Sequence, residues 1–125
     1  MGSVTFRAVE FLQGSYWQVG KEFRLSFTAE GNFELRTNTG TLLWETRTSG
    51  DMLAMQADGN LVIYNRKREA IWSTDTAGNQ DAVFAAGEDG TLRICSTDEN
   101  QVFWSSVAQM DPTPSAGVAQ RPGRP

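Results

Sequence analysis

A chain of 125 residues with 39% apolar side chains, four tryptophans and a formal net charge of −4 fits one globular domain. The acidic balance argues against a nucleic-acid partner, because affinity for nucleic acid rests on neutralising phosphates with Lys and Arg. No apolar run is long enough to span a membrane. The start of the chain lacks the basic and then apolar segments of a signal peptide, so for a soluble protein both secreted and cytoplasmic localisation stay open.

The N-terminal part of the chain carries two short stretches in which apolar and polar residues alternate. They are VTFRAVEFL and SYWQV, and both fall within residues 4–19. Alternation with a period of two is typical of half-buried strands, so we expect this part to supply the strand that completes a sheet. Trp17 lies in the second stretch, and we expect it in the core or at an interface rather than as a platform for a sugar ring.

The following part of the chain repeats one pattern three times. The copies LSFTAEGNFELR, LAMQADGNLVIY and FAAGEDGTLRIC place Gly31, Gly59 and Gly90 at the same position. A turn and a short strand with a tryptophan follow each copy, in TLLWET, EAIWST and QVFWSS. Such self-similarity indicates one supersecondary unit used repeatedly, and three units must close around a common core because none buries its apolar face alone.

The middle copy contains the turn signal Asp58-Gly59, which predicts a hairpin. A two-residue loop would divide the apolar side chains between both faces. A three-residue loop pairs Gln56 with Asn60 and gathers the apolar side chains on one face, namely Leu53, Met55, Leu61 and Ile63. Hydrophobic consistency selects the second register, and it puts Gly59 where a left-handed residue is needed.

This register leaves a polar face on the middle hairpin. Gln56, Asn60, Val62 and Tyr64 share it, with Asp58 at the tip of the loop. Amides, a carboxylate and a phenol can donate and accept in several directions, while a methyl pair can touch C–H bonds. Such a face suits a polyhydroxylated ligand.

The run Q-x-D-x-N-x-V-x-Y, the threefold layout and the repeated tryptophan resemble the bulb-type, or monocot mannose-binding, lectins. The resemblance covers roughly residues 11–106. It implies an all-β fold, the β-prism II, in which three antiparallel sheets surround a pseudo-threefold axis with the tryptophans in the middle. It also implies that one intact motif binds one mannose. Asp58 and Asn60 would hold the 2-hydroxyl, Gln56 the 3-hydroxyl and Tyr64 the 4-hydroxyl, with Val62 against the ring.

The other two copies depart from the motif. The first copy has Thr28, Glu30, Asn32, Glu34 and Arg36 at the five positions. The third has Gly87, Asp89, Thr91, Arg93 and Cys95. A charge at Glu34 or Arg93 stands where the apolar contact belongs, so we expect one competent site. Family members often carry a disulfide, but Cys95 is the single cysteine here, and we expect it outward or half-buried.

The residue types argue against an enzyme. The chain has no histidine, which removes His-based acid–base chemistry, Ser-His and Cys-His pairs and His-ligated metals. Asp58 is the one acid in the intact motif, whereas a glycosidase needs two carboxyls across the scissile bond. The remaining acids are scattered one per turn, unlike a calcium site. We expect a binder with no catalytic residue, no metal and no cofactor.

The chain divides into two parts. Residues 1–106 are expected to form the lectin domain, and residues 107–125, which hold all four prolines, a flexible tail or linker. The expected partners are mannose or mannose-containing glycans, with a homodimer or tandem lectin module to raise avidity. A strand within residues 102–109 could exchange between two copies. The basic Arg66-Lys67-Arg68 is interpreted as a solvated turn. Two alternatives stay open: a protein-interaction scaffold on the same fold, and a targeting module of a larger protein.

Overall fold

A computed structural model describes residues 3–107 of the chain. Within this range the chain forms twelve short β-strands joined by turns. They are β1 (Ser3–Phe6), β2 (Val9–Leu12), β3 (Ser15–Val19), β4 (Phe23–Phe27), β5 (Phe33–Thr37), β6 (Leu42–Glu45), β7 (Met52–Met55), β8 (Leu61–Tyr64), β9 (Ala70–Ser73), β10 (Val83–Gly87), β11 (Leu92–Cys95) and β12 (Val102–Ser105).

The strands form three antiparallel sheets of four strands each. The orders are β3-β4-β5-β6, β2-β7-β8-β9 and β1-β10-β11-β12. Each sheet contains one of the three repeats, as three consecutive strands, and takes its fourth strand from the N-terminal part. The expected all-β prism of three sheets is therefore confirmed.

The N-terminal part differs from the prediction. It was expected to supply one strand to one sheet, but it supplies β1, β2 and β3, one to each of the three sheets. The stretch VTFRAVEFL, which alternates almost throughout, is broken between Phe6 and Val9. Gly14, at a φ of 90°, lies in the turn between β2 and β3. Strands of four or five residues suit this arrangement, because each forms the edge strand of one sheet before the chain turns to the next sheet.

The hairpin register is the one that the sequence predicts. In the middle copy the backbone N–H of Gln56 donates to Asn60 O at 2.9 Å, and Gly59 N donates to Gln56 O at 3.0 Å. The equivalent bonds close the hairpins around Gly31 and Gly90. The three glycines have φ values of 89°, 94° and 84°, in the left-handed region that favours glycine.

Two groups of three aromatic rings show the pseudo-threefold arrangement of the core. Trp44, Trp72 and Trp104 come from β6, β9 and β12, and their ring centroids lie 5.8 to 6.1 Å apart. Phe6, Phe11 and Trp17 come from β1, β2 and β3, with centroids 4.7 to 5.2 Å apart. Edge-to-face rings at these distances attract one another. Trp17 therefore packs against the core, as expected, and each sheet contributes one ring to each group.

Cys95 lies deeper than the sequence suggested. It was expected to be outward or half-buried, but it is fully buried in a small cluster with Val83 and Ala85, apart from the main core. Val83 is its cross-strand partner, so these side chains share the outer face of their sheet. Burial raises the pKa of the Cys95 thiol, and the nearby carboxylate of Glu99 adds to the rise.

The last strand, β12, pairs with a strand of its own chain. β12 pairs with β11, with Arg93 opposite Ser105 and Ile94 opposite Trp104. The strand ends at Ser105, earlier than the expected limit of residue 109. The expected tail lies outside the described residues except for Val107. Among residues 3–107, no helix is long and apolar enough to cross a membrane.

Candidate functional site

The middle hairpin places the motif side chains on the outer face of the sheet β2-β7-β8-β9. The apolar side chains at the alternate positions, Leu53, Met55, Leu61 and Ile63, point into the core and are buried. Gln56, Asn60 and Tyr64 are half-buried, while Asp58 at the tip is exposed. The alternation of the two strands thus separates a core face from a polar face, as the register requires.

Gln56 and Tyr64 meet across the polar face. The Nε2 of Gln56 donates a hydrogen bond to the Tyr64 hydroxyl. The Tyr64 hydroxyl keeps its own proton to donate, and the Gln56 Oε1 has no hydrogen-bond partner among the described residues. Val62 lies on the same face but is only 3% exposed. The accessible part of this stretch is therefore the amide–phenol pair, and Val62 contributes little surface.

Asp58 shapes the loop with one carboxylate oxygen and leaves the other open. Its Oδ1 accepts the backbone N–H of Asn60 at 3.0 Å. Its backbone carbonyl accepts from Gly78 N at 3.0 Å and Asn79 N at 3.1 Å, which ties the tip to the segment after β9. Within residues 3–107 the Oδ2 has no partner, so it can accept a ligand hydroxyl.

The side chain of Asn60 links the middle hairpin to the segment after β9 by hydrogen bonds. Its Oδ1 accepts from Thr76 N at 3.1 Å and from the Thr74 hydroxyl at 3.3 Å. The Thr76 hydroxyl in turn donates to Gly59 O at 2.6 Å. The Nδ2 has no hydrogen-bond partner in the described part of the chain. Asn60 is thus a structural residue through its oxygen and a free donor through its nitrogen.

Sequence reasoning missed these two threonines. A repeated signal exists, because Trp72 is followed by S-T-D-T and Trp44 by E-T-R-T. Thr46 and Thr48 make the same bonds to Asn32 in the first copy. A threonine two and four residues after both Trp44 and Trp72 could have identified the network from the sequence.

In the first copy, an internal network occupies the corresponding face. The Asn32 Nδ2 donates to Glu34 Oε1 at 3.1 Å and to Glu45 Oε1 at 2.9 Å. Glu34 also pairs with Arg36 at 2.7 Å. Hydrogen bonding and charge from Glu34 raise the pKa of the Arg36 guanidinium. The side chains of Asn32, Glu34 and Arg36 are therefore paired with neighbouring groups rather than free for a ligand.

The third copy is also paired internally. Asp89 Oδ2 lies 3.4 Å from Arg93 Nη2, and Asp89 Oδ1 accepts Thr91 N at 3.0 Å. Partial burial raises the pKa of Asp89, but the bonds from Thr91 and the charge of Arg93 outweigh it, so the pKa is lowered overall. At Gly87, in the position of Gln56, a Cβ would meet Asp89 Oδ1 at 2.8 Å. A glutamine at this position would therefore displace the Asp89–Arg93 ion pair.

No group of three potential metal ligands occurs among the described residues, counting His, Cys, Asp and Glu. The polar face of the middle hairpin can therefore form hydrogen bonds, but it holds no cluster of metal ligands among the described residues. Its free groups are a carboxylate oxygen at Asp58, an amide N–H at Asn60, an amide oxygen at Gln56 and a phenolic proton at Tyr64.

Solved structures resemble this chain closely in fold. A lectin from Marasmius oreades superposes with a TM-score of 0.74 at 24% identity, over 85% of this chain and 91% of that one. The Polygonatum cyrtonema lectin, complexed with monomannoside, gives a TM-score of 0.65 at 27% identity, over 95% and 100%. The mannose-specific agglutinin from snowdrop (Galanthus nivalis) bulbs, complexed with methyl-α-D-mannoside, gives 0.66 at 28% identity, over 75% and 90%.

The chain shares its fold with bulb-type lectins. No protein-family model matches it, and no curated protein does either. Its three antiparallel sheets match the β-prism II fold of these neighbours. The three sheets give the chain three corresponding outer faces. In two of them an ion pair joins two of the motif positions, Glu34–Arg36 and Asp89–Arg93, and in the middle one several polar groups stay unpaired among the described residues.

Proposed function

We propose that this chain is a carbohydrate-binding lectin that recognises mannose or mannosides through one site. The site comprises Gln56, Asp58, Asn60, Val62 and Tyr64. One observation carries the proposal: unpaired donors and acceptors of the intact motif share the outer face and tip of the middle hairpin. Two structural neighbours were solved with mannosides, which supports the same class of ligand here.

The free groups fit a sugar hydroxyl pattern. Asp58 Oδ2 can accept from an axial 2-hydroxyl while Asn60 Nδ2 donates to the same oxygen, as the family resemblance implies. Gln56 Oε1 accepts from the 3-hydroxyl, and the Tyr64 proton goes to the 4-hydroxyl. The Gln56–Tyr64 bond then holds both groups in place before the sugar arrives, which reduces the ordering cost of binding.

The affinity of one such site is modest. A hexose has about a dozen heavy atoms, and about −0.3 kcal/mol per atom gives about −4 kcal/mol, a dissociation constant on the order of millimolar. Discrimination comes from bonds left unmade: an equatorial 2-hydroxyl would leave Asp58 and Asn60 desolvated without a partner, which costs about 1–3 kcal/mol. The site therefore prefers mannose to glucose.

A single site per chain has a consequence for avidity. The internal ion pairs at Glu34–Arg36 and Asp89–Arg93 leave the first and third faces unsuited to mannose. Useful binding then needs a homodimer, a tandem lectin module or a clustered glycan, because linked sites multiply weak affinities. We assign residues 1–106 to the lectin domain and residues 107–125 to a tail or linker that allows such an arrangement. Catalysis is not part of this function.

Calorimetric titration with methyl α-mannoside and methyl α-glucoside tests the proposal. We expect the mannoside to bind with a millimolar dissociation constant and the glucoside to bind at least about tenfold more weakly. Asp58→Ala should abolish mannoside binding. Asp89→Ala is the matched control, because Asp89 makes the same 3.0 Å bond to the backbone N–H two residues on. The control should lose similar stability and keep its affinity.

Two results would contradict the proposal. If wild type binds no mannoside and no other glycan, the chain is a protein-interaction scaffold on a lectin fold. If Asp58→Ala binds as tightly as Asp89→Ala, the sugar binds elsewhere on the domain. The length of the gene product beyond Pro125 would separately decide whether the domain addresses a larger protein.

A further inference from the structure

The outer face of the sheet β3-β4-β5-β6, the first face, carries a guanidinium that lies over an aromatic ring. Arg24 on β4 places its Cζ 3.9 Å from the centroid of the Tyr16 ring on β3. Both side chains are exposed. Cation–π attraction holds a guanidinium over such a ring through its flat face. The N–H donors at the edge of the Arg24 guanidinium therefore stay available to a ligand.

The strand register places a third donor beside this pair. Ser26 lies directly opposite Tyr16, and it is two residues from Arg24 on the same strand, so the three side chains share one face. The side-chain hydrogen bonds of this face join other groups. Within residues 3–107 the Arg24 guanidinium and the hydroxyls of Ser26 and Tyr16 are thus unpaired.

The carboxylate beside this cluster already has partners. Glu34 on β5 lies on the other side of Ser26. Its Oε2 accepts from Arg36 Nε at 2.7 Å, and its Oε1 accepts from Asn32 Nδ2 at 3.1 Å. Glu34 is therefore neutralised by Arg36, and Arg24 belongs to no ion pair among the described residues.

Arg24 is a cation without a counter-charge on the first face. The residue opposite it on β5 is Arg36, and like charges directly opposite each other repel. The corresponding cross-strand pairs of the other two sheets are uncharged, namely Met52–Tyr64 and Val83–Cys95. The fold itself therefore does not require a charge at this position, and the unpaired cation is a particular feature of the first face.

Arg24, Ser26 and Tyr16 form a set of donors. A guanidinium presents parallel N–H groups that match two oxygens of a carboxylate or a sulfate. The two hydroxyls can donate to further oxygens of the anionic group or of a sugar ring. An open face of this kind can contact a sugar residue at the end of a glycan from one side.

The balance of charge limits the class of ligand. Lys21 and Glu22 in the adjoining turn are both exposed and carry opposite charges, so the surplus on the face is the single charge of Arg24. Nucleic acid binds through many cations at once, and this chain as a whole carries a net charge of −4. A ligand with one anionic group and several hydroxyls therefore fits best.

We propose that the first face is a second binding site, which takes a sugar residue that carries a carboxylate or a sulfate ester. Arg24 binds the anionic group, Ser26 donates to its oxygens or to a ring hydroxyl, and the Tyr16 ring positions the guanidinium. The site lies on a different sheet from the proposed mannose site and does not depend on it. A chain with both sites binds glycans that contain neutral and acidic residues.

Calorimetric titration at low ionic strength compares methyl β-D-glucuronide and glucose 6-sulfate with methyl β-D-glucoside, which lacks the charge. At least one acidic sugar should bind with a dissociation constant on the order of millimolar, and the glucoside at least about tenfold more weakly, since a hydrogen bond to a charged group is worth about a tenfold change or more. Binding of the glucuronide alone identifies a carboxylate ligand, and binding of the sulfate alone a sulfate ester.

Variants then locate the site. Arg24→Gln should weaken the acidic sugar about tenfold and leave methyl α-mannoside unchanged. Tyr16→Ala should weaken it about three- to tenfold by releasing the guanidinium, whereas Tyr16→Phe keeps the ring and should weaken it less than threefold. Arg66→Gln is the matched control, an exposed cation on another sheet, and should leave the affinity unchanged. Thermal melting of each variant shows that it is folded.

Three results would overturn this site. The first is that neither acidic sugar binds more tightly than the glucoside. The second is that sodium acetate or sodium sulfate binds as tightly as the corresponding sugar, which would mean that the face attracts any carboxylate or sulfate, including those of an acidic peptide. The third is that Arg24→Gln and Arg66→Gln have equal effects. Each of these results leaves the mannose site standing, because methyl α-mannoside measures that site separately.

Discussion

Asn32 and Asn60 make the same pair of hydrogen bonds in two different sheets. Each side-chain Oδ1 accepts a threonine hydroxyl at 3.3 Å and the backbone N–H of a second threonine, at 3.2 Å for Asn32 and 3.1 Å for Asn60. The two residues differ at Nδ2. That of Asn32 donates to two glutamates, whereas that of Asn60 is unpaired within residues 3–107. These shared bonds give asparagine a structural role in the first copy, which lacks the other residues of the binding motif.

Asn60→Ala should therefore impair both folding and binding. Loss of the Oδ1 acceptor leaves a backbone N–H and a buried hydroxyl with one partner fewer, so we expect a loss of about 1–3 kcal/mol in the free energy of unfolding. Urea denaturation measures this loss, and calorimetry at a temperature where the variant is folded should show mannoside affinity reduced at least fivefold.

Asn32→Ala supplies the control for that change. It removes the same two bonds and two further bonds to carboxylates, so its stability loss should equal or exceed that of Asn60→Ala, with mannoside affinity unchanged. An Asn60→Ala protein with wild-type stability would show that the Oδ1 network contributes nothing.

Gly59→Ala should destabilise the protein more than Gly40→Ala. Both glycines have positive φ, 94° and 99°, so both substitutions cost about 1 kcal/mol for the left-handed backbone. A Cβ at Gly59 would also collide with the backbone carbonyl of Asn79, whereas a Cβ at Gly40 meets no atom within 4 Å. Chemical denaturation of the two variants isolates the cost of this close approach. Equal losses would mean that the loop after β9 can move aside freely.

Tyr64→Phe should weaken mannoside binding about three- to tenfold and lower stability by less than about 1 kcal/mol. The ring stays in place, and water can replace the hydroxyl as partner of the half-buried Gln56 amide. Tyr16→Phe is the control, since Tyr16 is 61% exposed on another sheet and should leave affinity unchanged. A large drop in melting temperature for Tyr64→Phe would identify this hydroxyl as structural instead.

Cys95 should resist alkylation in the folded protein. Burial removes the thiol from solvent and raises its pKa, so the reactive thiolate is scarce at neutral pH. We expect iodoacetamide at pH 7.5 to label the native chain at least tenfold more slowly than the chain in 6 M guanidinium chloride, as followed by intact mass. Equal labelling rates would place the thiol at the surface.

The hairpin registers could be predicted from the sequence because they depend on neighbours in the chain. Side chains alternate with a period of two, and one slip would have exposed Leu53 and Ile63, so hydrophobic pattern and glycine position agree on a single pairing. The use of β1, β2 and β3 could not be predicted, because their partners lie far along the chain. Phe6 pairs with Phe84, and Phe11 with Leu53, and alternation alone does not identify such partners.

For the site, the sequence by itself determined which residue types could meet a sugar and that Gln56, Asn60, Val62 and Tyr64 would share one face. Only the tertiary structure decided which of their atoms are free. Thr74 and Thr76 donate hydrogen bonds to the side-chain oxygen of Asn60, and the ion pairs of Glu34 and Asp89 lie on the other two faces. The reason is physical: strand periodicity fixes the direction of a side chain, whereas its hydrogen bonds depend on groups brought near it by the rest of the fold.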